Sequence, residues 1–142
     1  MSLALLKNAD ASGVYFLPTP RRAVIEAASS RLHFTVLTAD IAEYPSAEKV
    51  LYQLGSALNF PIWYGANFDA LFDCLTDPDW QPGKGHVLLI SGISRLLIAD
   101  PDAFATLVEV FQAAAEARRE MHSPFWILID SPAQGVPAFP ET

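Results

Sequence analysis

The sequence predicts an α/β domain whose parallel sheet is covered by helices. Segments 86–90 and 125–129 are apolar at almost every position, and strands that are apolar on both faces are typical of parallel sheets buried between helices. Segments with helical periodicity alternate with these runs along the chain, which is the order of elements in α/β proteins. Of the 142 residues, 51% are apolar, so the chain is expected to form a globular core.

The N-terminal half of the chain contains four predicted elements. Segment 13–17 is a short apolar run, and segment 20–30 is predicted to be a helix because it opens with a proline, which suits the first helical position. Segment 33–38 is rich in β-branched residues and is predicted to be a strand. Segment 46–58 is predicted to be a helix, since it opens with a serine cap and its apolar residues recur at helical spacing.

The C-terminal half is predicted to contain two helices besides the strands at 86–90 and 125–129. A short acidic helix begins at Asn67 and is ended by Pro78. A long helix over 100–119 closes with two arginines, which suit the negative end of a helix dipole. Segment 131–142 contains several prolines and a glycine, so this C-terminal tail is expected to be irregular.

The charge of the chain excludes several classes of function. The formal net charge is −7, which argues against nonspecific binding to nucleic acid or to an anionic membrane, because both need clustered Lys and Arg. No segment approaches the run of about 20 apolar residues that crosses a bilayer. No catalytic, nucleotide or metal fingerprint occurs, so neither a cofactor nor a metal ion is predicted. An acidic protein of this kind is suited to a basic protein partner.

Cys74 is the only cysteine of the chain, which excludes an intramolecular disulfide and a cysteine-based zinc site. It falls on the apolar face of the acidic helix, where a buried structural thiol is expected. Segment 1–7 has too short an apolar run and the wrong charge order for a signal peptide. A reduced protein of the cytoplasm is therefore expected.

Segment 61–80 combines acidic and aromatic residues and contains neither Lys nor Arg. At about 100° per residue, the positions of its helix divide into two faces. One face consists of Asp69, Phe72, Asp73 and Thr76. The opposite face consists of Phe68, Leu71, Cys74 and Leu75. The pattern predicts a buried apolar face and an exposed face that carries two carboxylates and one phenyl ring.

Local roles account for only part of the exposed face. Asn67 is a good N-cap, and Asp69 in the first turn is favoured by the helix dipole. Asp73 lies four residues after a like charge, where repulsion costs a few tenths of a kcal/mol, and Phe72 has no local role in an exposed position. Two interpretations remain open from the pattern: a solvated helix face, or an interface for a basic partner.

The run Leu-Asn-Phe-Pro-Ile-Trp-Tyr-Gly-Ala-Asn-Phe-Asp-Ala-Leu-Phe-Asp-Cys-Leu-Thr at 58–76 resembles the signature of the barstar family, the intracellular inhibitors of the ribonuclease barnase. The pattern is long and ungapped, and the elements predicted on both sides of it agree. The resemblance implies a barstar-like fold with a three-stranded parallel sheet, four-stranded if 13–17 joins it. It also implies one domain over 1–142, divided into an N-terminal extension (1–32), a barstar-like core (33–130) and an irregular tail (131–142).

The resemblance further implies a non-enzymatic protein that occludes the active site of a basic ribonuclease with the acidic helix and the loop before it. Asp73 matches a carboxylate that takes the place of an RNA phosphate, and Asp69 matches a second acidic contact. Trp63 stands at a tyrosine position that packs against the catalytic histidine of the enzyme. The other expected contacts are Gly65, Asn67, Phe72, Thr76 and Asp77.

Three departures from the family pattern bear on which ribonuclease is bound. Phe72 replaces a tryptophan, so an indole donor is lost. Ala113 stands where the family has a glutamate on the long helix, and Glu116 and Glu120 lie further along that helix. Asp77 replaces the glycine that follows the threonine.

Two alternatives of other classes remain open. Asp40 and Asp130 follow predicted strands, as carboxylates do in phosphoacceptor and nucleotide-binding enzymes, although helix capping or loop solvation explains them as well. The acidic helix would also suit an interaction module whose partner is a basic protein other than a ribonuclease.

Overall fold

The computed structural model describes residues 2–140 and contains a four-stranded parallel sheet. The order of the strands across the sheet is β1-β4-β3-β2. Their bounds are β1 (Gly13–Phe16), β2 (Thr35–Asp40), β3 (His86–Ser91) and β4 (Phe125–Ile129). The predicted α/β class with a parallel sheet is confirmed, and segment 13–17 supplies the fourth strand.

Helices cover both faces of this sheet. Their bounds are α1 (Ser2–Lys7), α2 (Arg22–Arg31), α3 (Ala47–Ala57), α4 (Phe68–Thr76), α5 (Ser94–Ala99) and α6 (Pro101–Glu120). The sequence pattern does not predict α1 or α5, because each has six residues and the spacing of apolar residues hardly repeats over that length. None of the helices within residues 2–140 has the length and apolar character needed to cross a membrane.

The start of β2 differs from the sequence prediction, which placed this strand at 33–38. The strand begins at Thr35 because the two residues before it form the turn that closes α2. His33 has a φ of 60°, and the N–H of Phe34 donates to the carbonyl oxygen of Ser29 at 3.0 Å. This closing turn satisfies carbonyl groups of the helix before the chain can extend.

Two hydrophobic clusters lie on opposite faces of the sheet. Side chains alternate along β3, so that Leu88 and Ile90 belong to one cluster and Val87 and Leu89 belong to the other. The first cluster contains residues of α3–α6, among them Leu54, Leu71, Leu96 and Leu107. The second contains residues of α1 and α2, together with β4, among them Leu6, Ile25, Trp126 and Leu128. The candidate binding helix α4 therefore lies on the opposite face from α1 and α2.

The C-terminal tail returns to the sheet and covers the outer edge of β1. The N–H of Phe16 donates to the carbonyl oxygen of Pro137 at 2.8 Å, and the N–H of Phe139 donates to that of Phe16 at 2.8 Å. The ring of Phe139 is 2% exposed and packs edge-on against Tyr15 and Trp126, with centroid distances of 5.6 and 5.7 Å. The tail thereby contributes to the second cluster.

Replacement of Phe139 by Ala is expected to lower the free energy of unfolding by about 3 kcal/mol or more, because it leaves a cavity between the tail and the sheet. Ile98 is 79% exposed, so Ile98→Ala serves as the control and should change the stability by less than about 0.5 kcal/mol. Urea denaturation of both variants measures the difference. Equal stabilities of the two variants would show that the tail does not pack as described.

Candidate partner-binding site

Helix α4 begins at the cap that the sequence predicts. Asn67 has extended backbone angles, and its Oδ1 accepts a hydrogen bond from the N–H of Ala70 at 2.7 Å. Asp69 lies in the first turn of the helix, where the free N–H groups favour a negative charge. The helix is thus held at its N-terminus by its own sequence.

The buried side of α4 consists of Leu71, Cys74 and Leu75, each fully buried. The predicted structural role of Cys74 fits its environment. Burial, together with the nearby carboxylates of Asp73 and Asp77, raises the pKa of its thiol to about 11. The thiol is therefore protonated at neutral pH and is a poor nucleophile.

Two residues of the predicted exposed face are less exposed than the helical angles indicate. Phe72 is half-buried and packs against the core cluster. Thr76 is also half-buried, and its hydroxyl donates to the carbonyl oxygen of Phe72 at 2.8 Å. The angles describe an isolated helix, whereas the elements packed beside α4 cover these two positions. Asp69 and Asp73 are exposed as predicted.

A cluster of aromatic rings, Tyr64, Phe60 and Trp80, supports the loop before α4. The hydroxyl of Tyr64 donates to the carbonyl oxygen of Leu51 at 2.7 Å, and its ring packs edge-on against Phe60 with a centroid distance of 4.8 Å. Phe60 in turn packs against Trp80 at 5.3 Å. Burial raises the pKa of Tyr64, so this hydroxyl remains a donor. Trp63, the residue before Tyr64, does not join this packing and is 54% exposed.

Two open grooves meet at Trp63. The first has a volume of about 590 Å³ and is lined by Trp63, Gly65, Asn67, Phe68, Asp69, Ala70 and Asp73. The second has a volume of about 380 Å³ and is lined by Asn59, Pro61, Trp63, Asp77, Asp79, Trp80 and Gln81. Aspartate side chains lie along both grooves, and neither lining includes a basic residue. Together these residues form the candidate surface, which is negative on both sides of an exposed indole ring.

The structure brings most of the sequence-predicted contacts together in this way. Gly65 and Asn67 are exposed and line the first groove with the two helix carboxylates. Asp77 is half-buried and lines the second groove, and its Oδ1 accepts from the N–H of Asp79 at 2.9 Å. Phe72 and Thr76 line neither groove, and their contact with a partner stays a prediction.

Ala113, where the family has a glutamate, and the two glutamates further along the long helix all lie at the surface. Ala113, Glu116 and Glu120 are exposed on α6. They line neither of the two grooves. The acidic character of the grooves therefore comes from α4 and the segment after it.

Arg118 is one of the two arginines in the last turn of α6, as the sequence predicts, but it has a further role that the sequence does not indicate. It is 4% exposed and does not lie free at the end of α6. Its Nε donates to the carbonyl oxygen of Leu75 at 2.8 Å, and an Nη donates to that of Asp77 at 3.0 Å. The signal was present in the spacing: Arg118 follows the buried Phe111 by two helical turns and so falls on the buried face.

The carboxylates of the alternative enzyme hypothesis have local structural roles. Asp130 accepts from the N–H of Gly92 at 2.9 Å, and Asp40 accepts from the N–H of Ala42 at 3.0 Å. Gly92 has a φ of 77°, and a Cβ there would lie 2.5 Å from the backbone of Ala42. The cavity beside Asp130 has a volume of about 10 Å³, whereas small-molecule sites have about 300 Å³ or more. Within residues 2–140, no group of three potential metal ligands is assembled.

Fold and site together describe an α/β protein with an open, acidic surface around an exposed indole ring. Comparison with known families agrees with this class. The family model described as Barstar (barnase inhibitor) matches residues 34–130. The chain belongs to the barstar family.

Other comparisons add little to this result. No curated protein matches the chain. Among solved structures, a chain in the structure of Drosophila ORC bound to AT-rich DNA and Cdc6 matches with 17% sequence identity and a TM-score of 0.42. The match covers 91% of this chain but only 43% of that one. A likeness of this degree carries no argument about function.

Gly55 on α3 leaves space for the ring of Tyr64 in the aromatic cluster. A Cβ at this position would lie 2.6 Å from the ring of Tyr64. Gly55→Ala is therefore expected to destabilise the protein by about 1–3 kcal/mol through overpacking, although Ala is the better helix former by roughly 1 kcal/mol. Urea denaturation measures the change, with Ser56→Ala at the exposed neighbouring position as the control. A gain in stability from Gly55→Ala would contradict the described packing of Tyr64.

His86 lies beneath the second groove and is 1% exposed. Its Nε2 is hydrogen-bonded to the carbonyl oxygen of Gln81, its ring stacks on Trp80, and Phe125 lies on its other side. Its Nδ1 is buried without a partner among the described residues. Burial lowers the pKa of His86, and the charge of Arg118 lowers it further. The folded protein therefore takes up a proton at this ring less readily than the unfolded chain does.

The free energy of unfolding is accordingly expected to fall as the pH drops below about 6.5, the ordinary pKa of histidine, and this loss should end below the folded-state pKa. His86→Gln keeps a donor for the Gln81 carbonyl and removes the titrating group. Urea denaturation between about pH 7 and about pH 5 should therefore show a smaller slope for this variant. Identical slopes would exclude His86 as the source of the pH dependence.

Proposed function

We propose that this protein inhibits a basic ribonuclease by covering the active site of that enzyme with α4 and the loop before it. The family to which the chain belongs is an inhibitor family. The residues that would make the contact are those of the two grooves around Trp63. An enzyme bound in this way must have cationic groups in its active site that face this surface.

The exposed carboxylate of Asp73 is the observation that carries the proposal. It lies in the first groove beside Asp69 and Trp63. Other aspartates of the chain, such as Asp77 and Asp130, accept backbone hydrogen bonds, whereas Asp69 and Asp73 are not among those acceptors in the described residues. A carboxylate left free in this way can receive the arginine, lysine or histidine groups that otherwise bind an RNA phosphate.

Trp63 supplies the apolar part of the proposed contact. Tryptophan is enriched among the residues that dominate binding energy at protein interfaces. Its indole ring can pack against a flat side chain of the enzyme, such as an imidazole or a guanidinium group. The grooves on its two sides then receive the neighbouring cationic groups.

Gly65 and Asn67 shape the edge of the first groove. Gly65 is exposed and presents only backbone to a partner, while Asn67 is occupied in capping α4. Phe72 and Thr76 are half-buried, and their remaining exposed surface is proposed to contact the partner beside the carboxylates of α4.

The charge of the chain favours rapid association with such a partner. A net charge of −7 attracts a basic enzyme over a distance of roughly one Debye length, about 10 Å at moderate salt. Binding should therefore slow as the salt concentration rises. We place this activity in the cytoplasm, which also suits a chain with a single, buried cysteine.

Cleavage of a fluorescent RNA by basic microbial ribonucleases, barnase among them, tests the proposal when the protein is added at increasing concentration. Asp73→Asn should weaken inhibition about a hundredfold or more, because it leaves a desolvated cation of the enzyme without its charged partner. The affinity follows from the concentration dependence of the cleavage rate.

Glu26→Gln is the matched control, since it also removes one negative charge. Glu26 is exposed on α2, on the opposite face of the sheet from α4, and its replacement should change inhibition by less than about threefold. Equal effects of the two variants would reduce the proposal to general charge attraction. If the protein inhibits none of the ribonucleases, the proposed function is wrong.

A further inference from the structure

The guanidinium group of Arg118 is a buried cation placed under the candidate surface. It is 4% exposed and lies 4.9 Å from the centroid of the Phe125 ring. Its two hydrogen bonds go to main-chain carbonyl groups, of Leu75 and of Asp77, at the carboxyl end of α4. A buried charge is costly unless hydrogen bonds compensate it, so this arrangement needs a physical reason.

The reason lies in how α4 ends. The last carbonyl groups of a helix lack intrahelical donors and are commonly satisfied by the N–H groups of the residues that follow. Here the second residue after the helix is Pro78, which has no N–H. The N–H of Asp79 is already used by the side chain of Asp77, at 2.9 Å. The carbonyl oxygen of Asp77 accepts from the N–H of Trp80 at 3.1 Å. Arg118 therefore adds a second donor at Asp77 and supplies from α6 the donor for Leu75.

An arginine suits this place better than a lysine. Its planar fork can reach two carbonyl groups at once, and it remains charged when it is partly desolvated. Burial lowers the pKa of Arg118, while the nearby Asp77 raises it. The positive charge also opposes the negative end of the α4 dipole, which would otherwise add to the repulsion among the aspartates of the surface.

We propose that Arg118 is a positioning residue of the partner-binding surface, and that it fixes the carboxyl end of α4 and the Asp77 turn before the partner arrives. The inference rests on the proposed function for the nature of the partner. Arg118 itself touches no partner, because it is buried. It acts through the backbone that carries Asp73 on one side of Trp63 and Asp77 on the other.

Arg118 donates its hydrogen bonds to carbonyl groups and not to carboxylates, and this choice of acceptor has a functional consequence. A cation paired with Asp73 at the surface would compete with the cations of the enzyme for the same oxygens. A cation buried beneath α4 supports the segment and leaves the carboxylate of Asp73 available. Fixing the segment in advance reduces the ordering that binding would otherwise require.

Arg119 provides a matched control for the experiment. It is the next residue of α6, and its guanidinium also donates to a main-chain carbonyl group, that of Ser12, at 3.0 Å. Ser12 lies beside β1 and β4, since its hydroxyl accepts from the N–H of Phe125. Arg118→Met and Arg119→Met therefore remove the same kind of contact from the same helix, one at the proposed site and one away from it.

Amide hydrogen exchange of the full chain tests the inference without any partner. In Arg118→Met, the amides of segment 76–81 should exchange roughly tenfold faster or more, because hydrogen bonds from a charged donor are lost. In Arg119→Met these amides should keep the wild-type rates. If Arg118→Met does not fold, Arg118→Lys replaces it, and the lysine should give an intermediate exchange rate because it keeps the charge and loses the fork.

The dissociation rate of the complex with an inhibited ribonuclease supplies the second readout. Arg118→Met should speed dissociation about tenfold, whereas Arg119→Met should leave it unchanged even where the two variants have equal stability. Equal exchange patterns, or equal dissociation rates at equal stability, would overturn the inference and leave Arg118 with a structural role only. If no ribonuclease is inhibited, the proposed function fails, and the exchange pattern alone decides whether Arg118 fixes the segment.

Discussion

The position of α4 depends on the contact between Arg118 and the last carbonyl groups of that helix. The opposite end of the helix needs no such support, because Asn67 caps it from within the sequence. Between these ends, the fully buried side chains of the helix pack into the core above the sheet. A short helix is unstable by itself in water, so its caps and its tertiary packing together decide where its exposed carboxylates stand.

The region around α4 has a buried layer and an exposed layer that differ in their chemistry. Aromatic rings and the buried guanidinium group form the inner layer, in which Tyr64 and Trp80 each donate a hydrogen bond to a carbonyl group of α3 or its cap. Carboxylates and the indole of Trp63 form the outer layer. Apart from Nδ1 of His86, the polar groups of the inner layer named above are satisfied, which favours a fixed arrangement. The outer layer keeps its charges available, which is what a surface for a cationic partner requires.

The sequence allowed much of this to be predicted, because the deciding signals were local. Two apolar strands with helices between them indicate a parallel sheet, and the cap at Asn67 and the exposure of Asp73 follow from helical geometry. The half-burial of Phe72 does not follow, since it depends on neighbouring elements rather than on the helix itself. The role of Arg118 was missed for a related reason: a cation at a helix end has an ordinary local explanation, and its acceptors lie about forty residues away in sequence.

Competition between this protein and a mononucleotide for a basic ribonuclease tests the central claim most directly. A nucleotide with a 3′-phosphate occupies the phosphate position of the active site, where the carboxylate of Asp73 is proposed to bind. The apparent dissociation constant of the protein for the enzyme should then rise in proportion to the nucleotide concentration. An apparent dissociation constant that is independent of the nucleotide would mean that both bind at once, and it would contradict the account of α4 as a substitute for RNA phosphate.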